Sequence, residues 1–126
     1  MPYVYPDAES LDGRPAVGTH QCVALVEYYA KTPVSSHWGQ GAEVKGNESI
    51  EQGTAIATFV NGVYPSAASG NHAALYVGQD PHGLWVVDQY VTSNGIHKRL
   101  LRFKGSDEHG NFVDPSNNGD AFSIIA

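Results

Sequence analysis

HQCVALVEYYAK, residues 20–31, is the stretch around which the rest of the chain must be arranged. It is made almost entirely of residues compatible with a helix, follows Thr19, and is closed by Thr32-Pro33, since the residue before a proline is pushed out of the α region. The pattern predicts a helix over residues 20–31 with Thr19 as its N-cap. Val23, Leu25, Val26, Tyr28 and Tyr29, with the alanines between them, cover most of the helix circumference, so it is expected to be largely buried. Cys22 then falls at the third helical position, in a first turn where unpaired backbone N–H groups and the macrodipole favour an anion. A thiolate is favoured there. Against this stands the common behaviour of a free cysteine, which is to pack as a small inert hydrophobe.

Outward from the helix the composition changes. Residues 1–19 are punctuated by Pro2, Pro6, Gly13, Pro15 and Gly18, and residues 34–53, rich in Gly, Ser and Gln around Trp38, read as a connection with at most a short helical turn. From Gly53 onward the pattern is β: residues 54–60, the hairpin signal Asn61-Gly62, an irregular stretch over 64–71, and strands over 72–79, 84–91, 96–103 and AFSII at 121–125. One early helix and about five strands joined by short turns predict an α+β fold, with the helix on one face of an antiparallel sheet. At 126 residues the chain is expected to be a single domain, residues 1–126.

Composition narrows the function. Hydrophobic residues make up 41% and charged residues 16%, which suits a packed core, and a net charge of -6 opposes binding to nucleic acid or to an anionic membrane surface. No apolar run reaches the roughly 18–20 residues of a membrane span. The first residues lack a basic region followed by an apolar one, so a conventional signal peptide is not expected. A lone cysteine excludes an internal disulfide and a cysteine-based zinc cluster, and without HExxH no metal is expected.

The chemistry-bearing residues are Cys22, one of the six histidines, and a polar pair. His20, His82 and His109 sit in polar or turn segments, where solvated histidine is ordinary, whereas His72 opens the apolar strand HAALYVG. Asp88 and Gln89 lie at the end of the next strand, where either could orient an imidazole, the third role in a nucleophile, base and orienter arrangement. Strand parity separates them: Gly78 opposite Leu84 puts Asp88 on the face of His72, and Gln79 opposite Leu84 puts Gln89 there. Asp88 is expected, because a carboxylate stabilises an imidazolium better than an amide does. Gln21, beside the cysteine, carries an amide able to bind an oxyanion. Trp38 and the Tyr64 to Gly70 stretch are expected to wall a substrate cleft.

QCVALVEYY, NHAALYVG and LWVVDQY together resemble the CHAP and NlpC/P60 amidases, small papain-like hydrolases of the bacterial cell wall. Trp38-x-x-Gly41 and GTAIATF, residues 53–59, bring the chain closer to the second family of peptidoglycan amidase effectors of type VI secretion. The resemblance covers about residues 18–104 and leaves out the tail from Gly105. It implies a papain-like fold and a cysteine peptidase that hydrolyses stem or cross-link peptides of peptidoglycan without metal or organic cofactor. Cys22, His72 and Asp88 fall on its catalytic positions. An effector of that kind is carried by a contractile apparatus into a neighbouring cell's periplasm and is expected to have a cognate immunity protein. Two other readings remain: a papain-like thiol hydrolase or acyltransferase acting on proteins or lipids, and a non-catalytic binding module whose Cys22 is inert.

Overall fold

His20 sets where the helix begins. In the computed structural model, which describes residues 2–65, 67 and 69–126, His20 has a left-handed φ of 69°, and α1 spans Cys22–Ala30 with Gln21 as its N-cap. Thr19 does not cap it; its Oγ1 accepts a 3.4 Å bond from Gln21 N. Cys22 is therefore the first helical residue rather than the third. Lys31, left-handed at φ 63°, ends the helix ahead of Thr32-Pro33. Burial is narrower than the composition predicts: Leu25, Val26 and Ala30 are buried, but Tyr28 is 55% exposed. The helix sits on the sheet by one face, because its far side is open to solvent.

Among the described residues six strands, one more than predicted, form a single antiparallel sheet: β1 (Gln40–Glu43), β2 (Ala55–Thr58), β3 (Ala73–Asp80), β4 (Gly83–Asp88), β5 (His97–Arg102) and β6 (Phe122–Ile125), in the order β1-β6-β2-β3-β4-β5. The additional strand is β1, whose sequence QGAE has little β propensity and which exists because β6 offers it a ladder. Asn61-Gly62 forms its tight turn, with positive φ at both residues and reciprocal bonds between Val60 and Val63. That turn does not join two strands of the sheet, however, because β2 pairs with β3 beyond the irregular segment.

Both faces of the sheet are covered. α1 and the N-terminal segment pack with Ala55, Ala57, Ala73, Leu75 and Val87 on one face. On the other, Ile56, Ala74, Tyr76, Leu84, Leu101 and Phe122 form a second core beneath Val44 and Ala121. Small alanines in β2 and β3 let the backbone lie close between the two layers, which explains why β2 is buried along its whole length. The tail that the resemblance left unmatched is integral: β6 pairs with both β1 and β2, and Phe122 and Ile125 are fully buried.

Candidate active site

The hairpin of β3 and β4 determines which polar residue meets His72. Near the turn Gln79 pairs with Leu84 and Asp80 with Gly83, leaving only Pro81-His82 as the loop. Continued without interruption, that register would bring Gln89 to the face of His72. It is interrupted between Tyr76 and Gly78, where Val77 is an extra residue, and beyond the bulge Tyr76 pairs with Val86 and Leu75 with Val87. The bulge reverses the parity and returns Asp88 to the face of His72. Neither regular register considered from the sequence holds along the whole hairpin.

His72 Nε2 and Asp88 Oδ2 lie 2.7 Å apart, with both side chains almost wholly buried. The backbone N–H of His72 donates to Thr58 Oγ1 at 3.0 Å, its carbonyl accepts from Thr58 N at 3.0 Å, and its ring lies edge-on to Phe122, so the imidazole is held from both strand and core. With Nε2 engaged, Nδ1 is the ring nitrogen left for Cys22. The two residues approach from opposite sides: His72 shares the face of Ala74, whereas Cys22 packs with the core beneath α1. They meet in a cleft of about 740 Å³ at the end of the strands, lined also by Gln21, Tyr64, Tyr90 and Asn117.

Burial pushes the Cys22 thiol up, but hydrogen bonding and charge attraction to His72, helped by the Tyr64 hydroxyl and the Ala73 backbone, hold it below its ordinary value. Burial also acts to depress His72. Its bonds to Asp88 and Cys22 and the attraction of both charges outweigh this and push the imidazole up to about 9. A thiolate–imidazolium pair is thereby favoured between the two values. Tyr64 Oη lies 3.7 Å from Cys22 Sγ, and burial together with the charge of Cys22 keeps its hydroxyl protonated well above the usual tyrosine range.

Other expected residues take different places. Gln89, weighed from the sequence as an alternative orienter, is fully buried and does not bond His72: its Oε1 accepts from Val17 N at 2.9 Å, and its Nε2 donates to the carbonyls of Val17 at 3.0 Å and Gln21 at 2.9 Å. It holds the backbone that leads into Cys22. Trp38 does not line the cleft; it is buried behind Tyr64, ring centroids 4.8 Å apart, with its indole N–H donated to Pro33 O at 2.8 Å. Its effect on the cleft is to fix the Tyr64 ring. Of the stretch from Tyr64 to Gly70, residues 66 and 68 lie outside the described residues, while Tyr64, Ala67, Ser69 and Gly70 line the cleft. Gln21 lines it too, beside the open first turn of α1, whose initial backbone bond runs from Ala24 N to Gln21 O.

Two residues bonded to each other in the site, Arg99 and Asn117, went unnoticed in the sequence. Arg99 on β5 donates from Nε to the same Asp88 Oδ2 at 2.8 Å and from Nη1 to Asn117 Oδ1 at 3.1 Å. Its signal was available in the strand pattern: β5 runs against β4 with His97 opposite Asp88 and Arg99 opposite Val86, so Arg99 shares the face of Asp88 one pleat along. Asn117 had no such signal, because the 3-10 turn Pro115–Asn117 is shaped by Asn118, whose side chain bonds four backbone groups between residues 104 and 120.

Residues 4–125 match the family described as Domesticated amidase effector 2. The chain belongs to that amidase effector family. It is 46% identical to the type VI secretion amidase effector 2 protein of Salmonella typhi, over 99% of both chains, and 33% identical to domesticated amidase effector 2 of Ixodes scapularis, over 94% of this chain and 81% of the relative. A solved structure of type 6 secretion amidase effector 2 superposes with a TM-score of 0.91 at 44% identity, covering 99% of this chain and 94% of that one. The amidase family match takes in residues 4–17 and the tail through β6, both outside the segment in which the resemblance was first visible.

Proposed function

We propose that this chain hydrolyses amide bonds in the stem or cross-link peptides of peptidoglycan, with Cys22 as nucleophile, His72 as general base and Asp88 as its orienter. The observation that carries the reading is the buried 2.7 Å bond between His72 Nε2 and Asp88 Oδ2 in a cleft shared with Cys22, in a chain of the amidase effector family. Cys22 Sγ, as thiolate, adds to the amide carbonyl. The negative charge that develops on oxygen is received by the backbone N–H of Cys22, at the helix start, and by the Gln21 amide, with the Tyr64 hydroxyl as a further donor. His72 gives its proton from Nδ1 to the leaving nitrogen, the C–N bond breaks, and a thioester remains on Cys22. Water then loses a proton to His72 as it attacks the thioester, releasing the new carboxylate and restoring the ion pair.

No metal or organic cofactor has a part in these steps. The catalytic unit comprises residues 1–126, and the route of action is delivery by a type VI apparatus into the periplasm of a target cell. Its expected protein partner is a cognate immunity protein that covers the cleft, with no nucleic acid or membrane partner. Mass spectrometry of digested sacculi tests the chemistry: the expected products are peptides heavier by one water per cut, ending in a new amine and a new carboxylate, on intact glycan strands. Cut glycan with untouched peptides would overturn it.

A further inference from the structure

We infer that Arg99 reads a free carboxylate on the substrate residue next to the scissile amide, making the enzyme selective for peptides in which that carboxylate is not amidated. The inference rests on the peptidoglycan amidase reading above and adds a specificity determinant to it.

Arg99 lines the same cleft as Cys22 and His72, with its side chain 28% exposed. It is held at three points, by Asp88 through Nε, by Asn117 through Nη1 and by the Tyr90 ring, whose centroid lies 5.4 Å from its Cζ. A guanidinium tethered in this way has already lost most of its rotamer freedom, so little more is lost when it binds a ligand. Its donors are not used up. Among the described residues Nη2 meets only His72 Nε2, at 3.5 Å, and that nitrogen already serves Asp88. The Nη2 hydrogens therefore remain for a group in the cleft.

The surroundings suit an anion. The chain has 13 Asp plus Glu against 7 Lys plus Arg, yet among the described residues no carboxylate lines the cleft, and the acid nearest to Arg99, Asp88, is buried beneath it. The same is true of an adjoining cavity of about 520 Å³ beyond Tyr90 and Val91, which contains Arg14. Arg99 Nη2 lies 3.5 Å from the His72 imidazole and shares one cleft with it and with Cys22, so the carboxylate it meets belongs to a residue adjacent to the cut. Stem peptides carry carboxylates in such places, and a carboxylate accepts from the cationic Nη2 with charge assistance, whereas a carboxamide offers one neutral oxygen and an NH2 that is itself a donor.

Arg99 also positions Asp88, so a loss of rate on mutation would not by itself reveal recognition. Two synthetic cross-linked stem peptides, identical except that the carboxylates flanking the scissile amide are free in one and amidated in the other, separate the roles. Wild-type enzyme should favour the free form by about tenfold or more in kcat/KM, chiefly through KM. Arg99→Gln should slow both substrates through Asp88 and bring the preference to within about twofold. Arg99→Lys should retain part of it, and Arg14→Gln should leave it unchanged, since the recognition is by contact and not by a general positive field. Equal wild-type cleavage of both peptides, or an undiminished preference in Arg99→Gln, overturns the inference while leaving the amidase reading intact. Failure of wild type to cut either peptide overturns both.

Discussion

Asp88 Oδ2 takes bonds from two cationic side chains, His72 and Arg99, and the ionisation of the cleft follows from that one atom. Because Cys22 is held below its ordinary value and His72 is raised to about 9, kcat/KM should rise with pH through the thiol limb and fall again through about 9. In Asp88→Ala the strongest influence raising His72 is gone and burial then acts to depress it, so the alkaline limb should move to lower pH. A limb that stayed near 9 would show that Asp88 does not govern the imidazole. Gln89 calls for a different measurement. Its amide is spent on Val17 and Gln21 in a buried site, so Gln89→Leu should cost roughly 2–3 kcal/mol in urea unfolding, with a slower reaction as the approach to Cys22 loosens. Unchanged stability would mean that these bonds do not hold the loop. Cys22, His72 and Asp88 were visible as residue types in strand and helix positions, whereas Arg99 required the pairing of β4 with β5, which is a matter of register.

Strands β2, β3, β4 and β6 were legible because each is built on an apolar run, β5 because Ile96, Leu100, Leu101 and Phe103 interrupt its basic residues between two turns, and α1 because Thr32-Pro33 stops it. Its start was misjudged, since Thr19 has the chemistry of a cap but His20 takes a left-handed φ that only the folded loop dictates. The bulge at Val77 left no mark in composition either. Its basis is non-local: the two-residue turn at Pro81-His82 sets one register and the buried pairing of Tyr76 with Val86 sets the other, and the extra residue reconciles them. Deleting Val77 should therefore remove the mismatch and leave Gly78 opposite Trp85 and Tyr76 opposite Val86 in one regular ladder, with Asp88 still on the face of His72. We expect the deletion to keep the activity of Val77→Ala, which shortens a side chain and keeps the bulge, to within about tenfold. A far greater loss in the deletion would show that the bulge itself, and not the pairing of Tyr76 with Val86, sets the site.

Across the whole molecule, the helix and the His72–Asp88 pair belong to opposite layers, and the cleft opens where the layers meet at the strand ends. The second layer was the least legible part, because Val44 belongs to a segment whose composition is that of a loop, and Phe103 and Ala121, expected at strand ends, lie just outside β5 and β6. The tail from Gly105 supplies β6 to the middle of the sheet and Asn117 to Arg99. Removing residues 105–126 takes away the buried Phe122 and Ile125, each worth about 1.5–3 kcal/mol, and leaves β1 and β2 without a partner between them, so the shortened chain should fail to fold cooperatively. A cooperative thermal transition in that chain would contradict the topology. For the central claim, that Cys22 with His72 carries out amide hydrolysis on peptidoglycan, the most direct measurement is the initial rate of peptide release from purified sacculi by wild-type protein, Cys22→Ser and His72→Ala, each shown by circular dichroism to be folded. The account predicts release by wild type and a loss of at least about a thousandfold in either variant. Wild-type rates from a folded Cys22→Ser protein would contradict it.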